Sequence, residues 1–526
     1  MEFEVDLLIE NGTIVDGTGA PRRAGSVGVR GERLVLPPPG APVHAKKKVD
    51  AKGLVVAPGF IDIHSHTDFW PAVDPFASSK AHDGVTMEVS GNCGFSAFPM
   101  DDATRERENR VLAPFGAKVD WDDFTGYRRS VEGSGTGIHR ALLVGHGNLR
   151  KYVVGYDDRE PTRVELERMK SVLGDLLDQG ACGFTTGLIY PPGCFAKTPE
   201  IVELARVAQS RGKIYASHIR GEGANLIPAI DEVLTIAQES GARTQVSHLK
   251  ASGPKNWFKI DAVLEKIDAV RAKGFPVMAD RYPYTATNTS LDTCLRAWAY
   301  EGGNAAMVAR IRDAGVRARM LAEMREDYPT EHFKNVMVSS VLLERGKKYE
   351  GRTVADVAAE RKLPPHETLL DILEECDGDV SAIFFTLKEE IMRRVLSLDY
   401  VMVASDGTAQ VAHAPHIEGM PHPRSYGTFT KVLGTLSRDE KLFPLEVAVA
   451  KMTGMPARQL GFGDRGVVAD GCFADLAIFD PVAVQDRSTY QQPHQYSSGV
   501  VHLIVNGTPV IENAKLTGAR PGRVVS

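Results

Sequence analysis

The apolar positions of this chain follow two rhythms. From about residue 57 to 290, short apolar runs of strand length alternate with longer segments of helix length. Toward both ends the helix-length segments give way to short runs broken by turn residues. Strand and helix signals in alternation predict βα units and a parallel sheet. Eight such runs can be followed by the residues that end them. The first, 60–63, ends at His64 and His66, and the second, 84–89, ends in Gly91-Asn92-Cys93-Gly94. The third, 140–144, ends in Gly145-His146, and the fourth, 181–184, in Thr185-Thr186-Gly187. The fifth to eighth are 213–217, 244–247, 276–279 and 400–405, ending at His218, His248, Asp280 and Asp406. Eight parallel strands with polar C-terminal ends predict an α/β fold, a (β/α)8 TIM-like barrel with its chemistry on that face.

Two regions break this pattern. The stretch from about 292 to 395 is too long for a βα connection. It holds helix-like stretches at 304–326 and 358–375 and an apolar run at Val336-Met337-Val338. It is expected to form an inserted, lid-like subdomain on the site face. At the start, Asp6 to Glu10 reads as a strand and Asn11-Gly12 as a hairpin signal. Near the end, 474–480 and 500–505 read as strands, the latter followed by Asn506-Gly507. Neither end has enough strands for a core of its own. Residues 1–56 and 460–526 are therefore expected to share one small β-sandwich domain beside a barrel of 57–459.

Composition narrows the class. The 526 residues are 43% hydrophobic and 25% charged, ordinary values for a folded globular chain, and the formal net charge is −6. No basic block suggests a nucleic-acid partner. No window reaches the roughly 18 uninterrupted apolar residues of a membrane span. The acidic start, Met1 to Asp6, lacks the positive region and apolar run of a signal peptide. Six scattered cysteines form no CxxC pair, which fits free thiols and a reducing, cytoplasmic compartment.

The chemistry sits at the strand ends. His64 and His66 are two apart, so in an extended chain both rings point to one side, as a shared metal requires. A solvated histidine pair is the bland alternative. His218 and His248 end strands one βα unit apart, side by side on a barrel rim, and strengthen the metal reading. Cys93, between Gly91-Asn92 and Gly94, offers a soft thiolate suited to zinc; a buried inert thiol is the alternative. Asp406 ends the eighth strand, where a carboxylate beside a metal can move a proton between water and a leaving group. Its alternative is an aspartate opening a turn at Gly407. His146 has no assignable ligand role.

These residues, with Thr186 to Gly193, Ser247 to Lys250, Tyr282-Pro283-Tyr284-Thr285-Ala286 and His422 to Phe429, resemble the amidohydrolase superfamily and, within it, the D-aminoacylase group. The resemblance spans essentially the whole chain. It implies a zinc enzyme with one tight metal on Cys93, His218 and His248, and a second, weaker position at His64, His66 and Asp406. Many superfamily members bridge two metals with a carboxylated lysine at the end of strand four. None is present in Thr185-Thr186-Gly187-Leu188, and Cys93 would take that bridging place. The implied reaction is hydrolysis of the amide of an N-acyl-D-amino acid, with Asp406 as acid and base. Tyr190, Lys250, Tyr282, Asn288 and Arg424 stand where the group binds substrate, and Asn288 replaces a serine. The rival readings are a cyclic-amide hydrolase of hydantoinase or dihydropyrimidinase type, a D-specific dipeptidase, and a non-catalytic scaffold. The expected partner is a small N-acyl amino acid, and the expected assembly a monomer or small homo-oligomer.

Overall fold

The computed structural model describes residues 3–38, 40–413 and 419–526. Eight strands form the parallel ladder: β1 (Phe60–Asp62), β2 (Val85–Ser90), β3 (His139–Gly145), β4 (Gly183–Gly187), β5 (Ile214–His218), β6 (Arg243–Val246), β7 (Val277–Arg281) and β8 (Val401–Val403). Each is hydrogen-bonded to the next in chain order. The apolar periodicity explains why. In β3, Leu142 and Val144 join the cluster between strands and helices, while Ala141 and Leu143 join the cluster inside the ring. Side chains alternate with period two, and both faces are buried, as a parallel sheet demands.

The ring closes between β1 and β8 with few backbone bonds. Asp406 N donates to His64 O at 2.8 Å, and His66 N to Gly407 O at 3.0 Å. Beneath them the Asp62 carboxylate accepts from Ser405 N at 2.9 Å and from Lys80 Nζ at 2.8 Å, all buried. A buried ion pair that loses one partner leaves an unpaired charge, so Lys80 and Asp62 depend on each other. The seam they hold carries His64, His66 and Asp406.

Helices coat the ring. Arg163–Gln179 starts with a capping box, Thr162 and Glu165 each satisfying the other's backbone N–H. It turns Met169, Leu173, Leu176 and Leu177 inward at helical spacing. Each such buried leucine contributes about 1.5–3 kcal/mol.

Strands from both ends of the chain combine in a second, nine-stranded sheet. Val55–Pro58 pairs with Leu476–Phe479, and Phe3–Ile14 pairs with three neighbours. Leu7, Ile9, Val29, Ile478 and Ile504 share its core. The last strand, Val524–Val525, leaves this sheet and pairs with β3. Asn11-Gly12 is not a hairpin. Phe3–Ile14 runs through it as one strand, and the register against Arg23–Arg30 shifts between Ile9 and Gly12. Asn11 absorbs the extra residue as a bulge with φ 64°, because the residues on both sides find partners in the same neighbouring strand. Asn506-Gly507 does turn the chain, with φ 47° and 75°, between Val500–Val505 and Thr508–Glu512.

The long segment before β8 has its own core, with Leu369, Leu373, Phe333 and Val338 buried together. Its sheet orders Thr287–Ser290, Val380–Phe384 and Val336–Val341, so it begins before residue 292. Helix Glu389–Ser397 begins inside the stretch expected to be inserted and runs past its end, and its Val395 packs into the barrel cluster. The two long helix-like stretches are each split. Asp313 ends Asn304–Arg312 and caps Ala314–Asp327 by accepting from Val316 N at 2.9 Å. Pro364 and Pro365 separate Val354–Arg361 from Pro365–Glu375, since proline cannot continue a helix from within. Among the described residues, no helix is long and apolar enough to cross a membrane.

Candidate active site

The C-terminal ends of β1, β5 and β6 deliver His64, His66, His218 and His248, and the turns after β2 and β8 add Cys93 and Asp406. Cys93, His248 and Asp406 have φ of 53°, 37° and 52°, a left-handed backbone that side chains other than glycine seldom adopt. Each strand end turns sharply there and aims its donor at the barrel axis, and strain of this kind gathers at functional sites.

The donors meet in two groups that share Cys93. His64, His66, Cys93 and Asp406 form one, and Cys93, His218 and His248 the other, each with donor atoms within 4.8 Å of one another. Cys93 Sγ lies 3.3 Å from His64 Nε2 and 3.4 Å from His248 Nε2. His248 Nε2 lies 2.9 Å from His218 Nδ1, and His66 Nε2 2.9 Å from Asp406 Oδ1. Tight turns make this possible. A Cβ on Gly187 would fall 1.9 Å from the Cys93 carbonyl oxygen, and one on Gly94 2.6 Å from Gly187 N. With the Cys93 turn packed on the end of β4, no side chain, lysine included, fits at residue 187.

The charges in this group offset one another. Burial alone would push the Cys93 thiol up, but His64 and His248 hold it well below its ordinary value. Burial likewise opposes the charge on Asp406, yet Arg424, His248 and His64 keep its carboxyl well below the usual range. Burial works against the His64 imidazolium, but Asp280, Cys93 and Asp406 raise it well above normal; burial opposes His66 too, yet Asp406 and Cys93 lift it to about 9. The two histidines thus favour their charged forms beside a thiol and a carboxyl that favour theirs. His218 Nε2 is buried with no hydrogen-bond partner among the described residues. A divalent ion would replace the histidine protons, and a thiolate with imidazoles and one carboxylate is a donor set that suits zinc.

Two orienting residues escaped the sequence reading. Asp280 accepts from His248 N at 2.8 Å and from Gln245 Nε2 at 2.6 Å, and its Oδ2 lies 3.3 Å from His64 Nδ1. It fixes which His64 nitrogen faces Cys93, the part a carboxylate behind a ligating histidine plays. Its place at the end of β7 was visible, but its role was not. Glu222 accepts from Lys250 at 2.5 Å and lies 3.0 Å from His248 Nδ1. Only its spacing of four from His218 could have pointed to it.

The donors floor a cavity of about 410 Å3. Tyr190, Lys250, Tyr282, Asn288 and Arg424 all line it. Lys250 is engaged by Glu222 and by His248 Nδ1 at 2.8 Å, and Arg424 by Asp406 Oδ2 at 2.7 Å. Tyr190 Oη bonds Thr289 Oγ1 at 2.7 Å, and the Asn288 amide donates to Ser339 Oγ at 3.1 Å and Ala382 O at 2.8 Å. Among the described residues the buried Tyr282 hydroxyl has no hydrogen-bond partner, while its ring lies 4.9 Å from the Arg424 guanidinium. His146 lies outside this group and pairs with Glu200 at 2.8 Å.

A family model for the amidohydrolase family matches residues 47–370 and 405–511. This chain belongs to that family. Among the relatives of this amidohydrolase, N-acyl-D-glutamate deacylase of Alcaligenes xylosoxydans xylosoxydans is 36% identical over 525 residues, 100% of this chain and 97% of the relative. D-aminoacylase from the same organism is 34% identical, over 99% of this chain and 97% of the relative. The structure of N-acyl-D-glutamate deacylase from Bordetella bronchiseptica, complexed with zinc and a phosphonate inhibitor that mimics the reaction tetrahedral intermediate, superposes with a TM-score of 0.84. The two are 34% identical, and the match covers 99% of both chains. A D-hydantoinase structure, 15% identical with a TM-score of 0.56, shares the fold alone.

Proposed function

We propose that this amidohydrolase uses zinc to hydrolyse the amide bond of N-acyl-D-amino acids, releasing a carboxylic acid and a free D-amino acid. The observation that carries the reading is the pair of donor groups joined at Cys93 with Asp406 beside them. The full-length likeness to N-acyl-D-glutamate deacylase and D-aminoacylase supports the substrate class and its stereochemistry. Cys93, His218 and His248 would hold the tight ion, and His64, His66 and Asp406 would surround a second, weaker one. When bound, zinc would polarise the amide carbonyl and acidify a coordinated water.

The protein's own residues do the rest. Arg424 holds Asp406 Oδ2, which leaves Oδ1 turned toward His64 and His66. Asp406 takes a proton from the attacking water and returns it to the amine nitrogen as the C–N bond breaks. Asp280 keeps His64 oriented toward Cys93. Lys250 and Arg424 supply the charge for the substrate carboxylate, and Tyr190 and Tyr282 border it. Lys250 and Arg424 are buried, so water screens their charges less than it would at the surface. Domain limits near residues 56 and 460, with the insertion roofing the site, complete the proposal.

The test is amine release from paired N-acetyl-D- and N-acetyl-L-amino acids by zinc-restored protein. Turnover confined to the D forms is expected. Equal turnover of both forms would remove the stereochemical assignment. Opening of a hydantoin ring with no linear amide cleaved would replace the reading with a cyclic-amide hydrolase.

A further inference from the structure

The inserted sheet has two unlike faces. Val336, Val338, Ala382 and Phe384 point into the core of the insertion. The other face turns to the cavity, and there three serines fall in one row. Ser381 pairs with Ser290 on one side and with Ser340 on the other. Residues directly opposite in antiparallel strands project on the same face, so the three hydroxyls stand together. All three line the cavity. A bulge between Val338 and Ser340 sets this register: Ser339 is the extra residue, buried, and accepts from Asn288.

The row is polar but carries no charge. Among the described residues, every cavity-lining side chain from this sheet is serine, threonine or asparagine. The two cations that line the cavity, Lys250 beside Glu222 and Arg424 beside Asp406, are taken by the α-carboxylate in the proposed binding mode, which leaves neither for a second anion. Among the described residues, the hydroxyls of Ser340 and Ser381 have no hydrogen-bond partner, while Ser290 Oγ makes a long bond of 3.4 Å to Val380 O and also reaches the Asp292 carboxyl. One part of the rim is apolar, where Phe95, 46% exposed, lies against Tyr190 with ring centroids 5.4 Å apart beside Ile189.

We propose that the row Ser290, Ser381 and Ser340 receives the side chain of the amino acid and selects neutral, hydrogen-bonding side chains, those of D-glutamine, D-asparagine and D-serine type. The inference rests on the deacylase reading and adds its side-chain class. With the scissile amide at the floor and the carboxylate at Lys250 and Arg424, two substituents remain. The acyl group suits the Phe95 and Ile189 rim, and the side chain suits the serines. Hydroxyls both donate and accept, so an amide or hydroxyl satisfies them. An aliphatic side chain leaves them unpaired once water is displaced, and such sites reject analogues that lack the partner. A side-chain carboxylate would be drawn from water with no further lysine or arginine among the described cavity-lining residues to meet it. This separates the chain from the relative named for D-glutamate, although the two are 36% identical.

The experiment measures kcat/KM for N-acetyl-D-glutamine, N-acetyl-D-glutamate and N-acetyl-D-leucine with the zinc-loaded enzyme. Glutamine is expected to exceed both by about tenfold, the worth of about 1.4 kcal/mol of hydrogen bonding. Glutamate or leucine at or above glutamine overturns the proposal while leaving the deacylase reading standing. Failure to cleave any N-acyl-D-amino acid overturns both. S381A is expected to reduce the glutamine-to-leucine ratio severalfold, and S381R to shift preference toward glutamate. A ratio unmoved by both, in variants with native thermal unfolding, removes the row from recognition.

Discussion

The floor of the cavity and its wall are built in opposite ways. The floor is made by strand ends of the barrel, where neighbouring donors are set by hydrogen-bonded ladders, and Asp280 and Asp62 brace them from behind. The wall comes from the inserted sheet, whose core is separate and whose contact with the floor passes through side chains such as Tyr190 to Thr289 and Arg424 to Asn288 O. A barrel rim holds metal ligands because its geometry is rigid. An inserted sheet can change its side chains without moving that rim. On the proposed reading, the difference separates reaction type, set by the floor, from substrate choice, set by the wall.

The strongest challenge to that division is Asp406→Asn. Turnover should fall about 10²–10⁴-fold, the usual worth of a positioned acid–base group, while metal analysis still finds the tight ion. Near-normal turnover would take Asp406 out of proton transfer. Next is Asp280→Asn, which touches no substrate. Loss of its charge behind His64 should lower metal affinity or activity about 10–100-fold, read by titration with zinc and a chelator. Unchanged affinity would mean that the ladders alone orient His64. Leu373→Ala, in the core of the insertion, tests independence from the other side. It should cost about 2–5 kcal/mol in the stability of that unit and raise KM, with the tight metal content unchanged. Loss of metal in that variant would show that floor and wall are one unit.

The same contrast governs how much could be read before the fold was known. The eight barrel strands were visible because a parallel strand buried on both faces is a short apolar run, and its polar terminus stands out. His64, His66, His218, His248 and Asp406 were recognisable for that reason. Cys93 needed its glycines and the family resemblance. Asn11-Gly12 and Asn506-Gly507 carry one signal and form a bulge and a turn, because only the neighbouring strands decide whether both flanks share a partner. Pro364 and Pro365 announced a helix end in the sequence itself, and the long helix drawn through them ignored it.

By itself, then, the sequence determined the ring and the polar residues that stand on its rim, since each depends on local apolar pattern and on residue type at a strand end. Tertiary structure alone decided three things. It set Cys93 between two donor groups, through a left-handed backbone and the close approach of Gly187. It enlisted Asp280 and Glu222, whose partners lie on other strands and loops. It also aligned Ser290, Ser381 and Ser340 into one row. Those residues are distant in the chain, and their register follows from a bulge that no local pattern encodes.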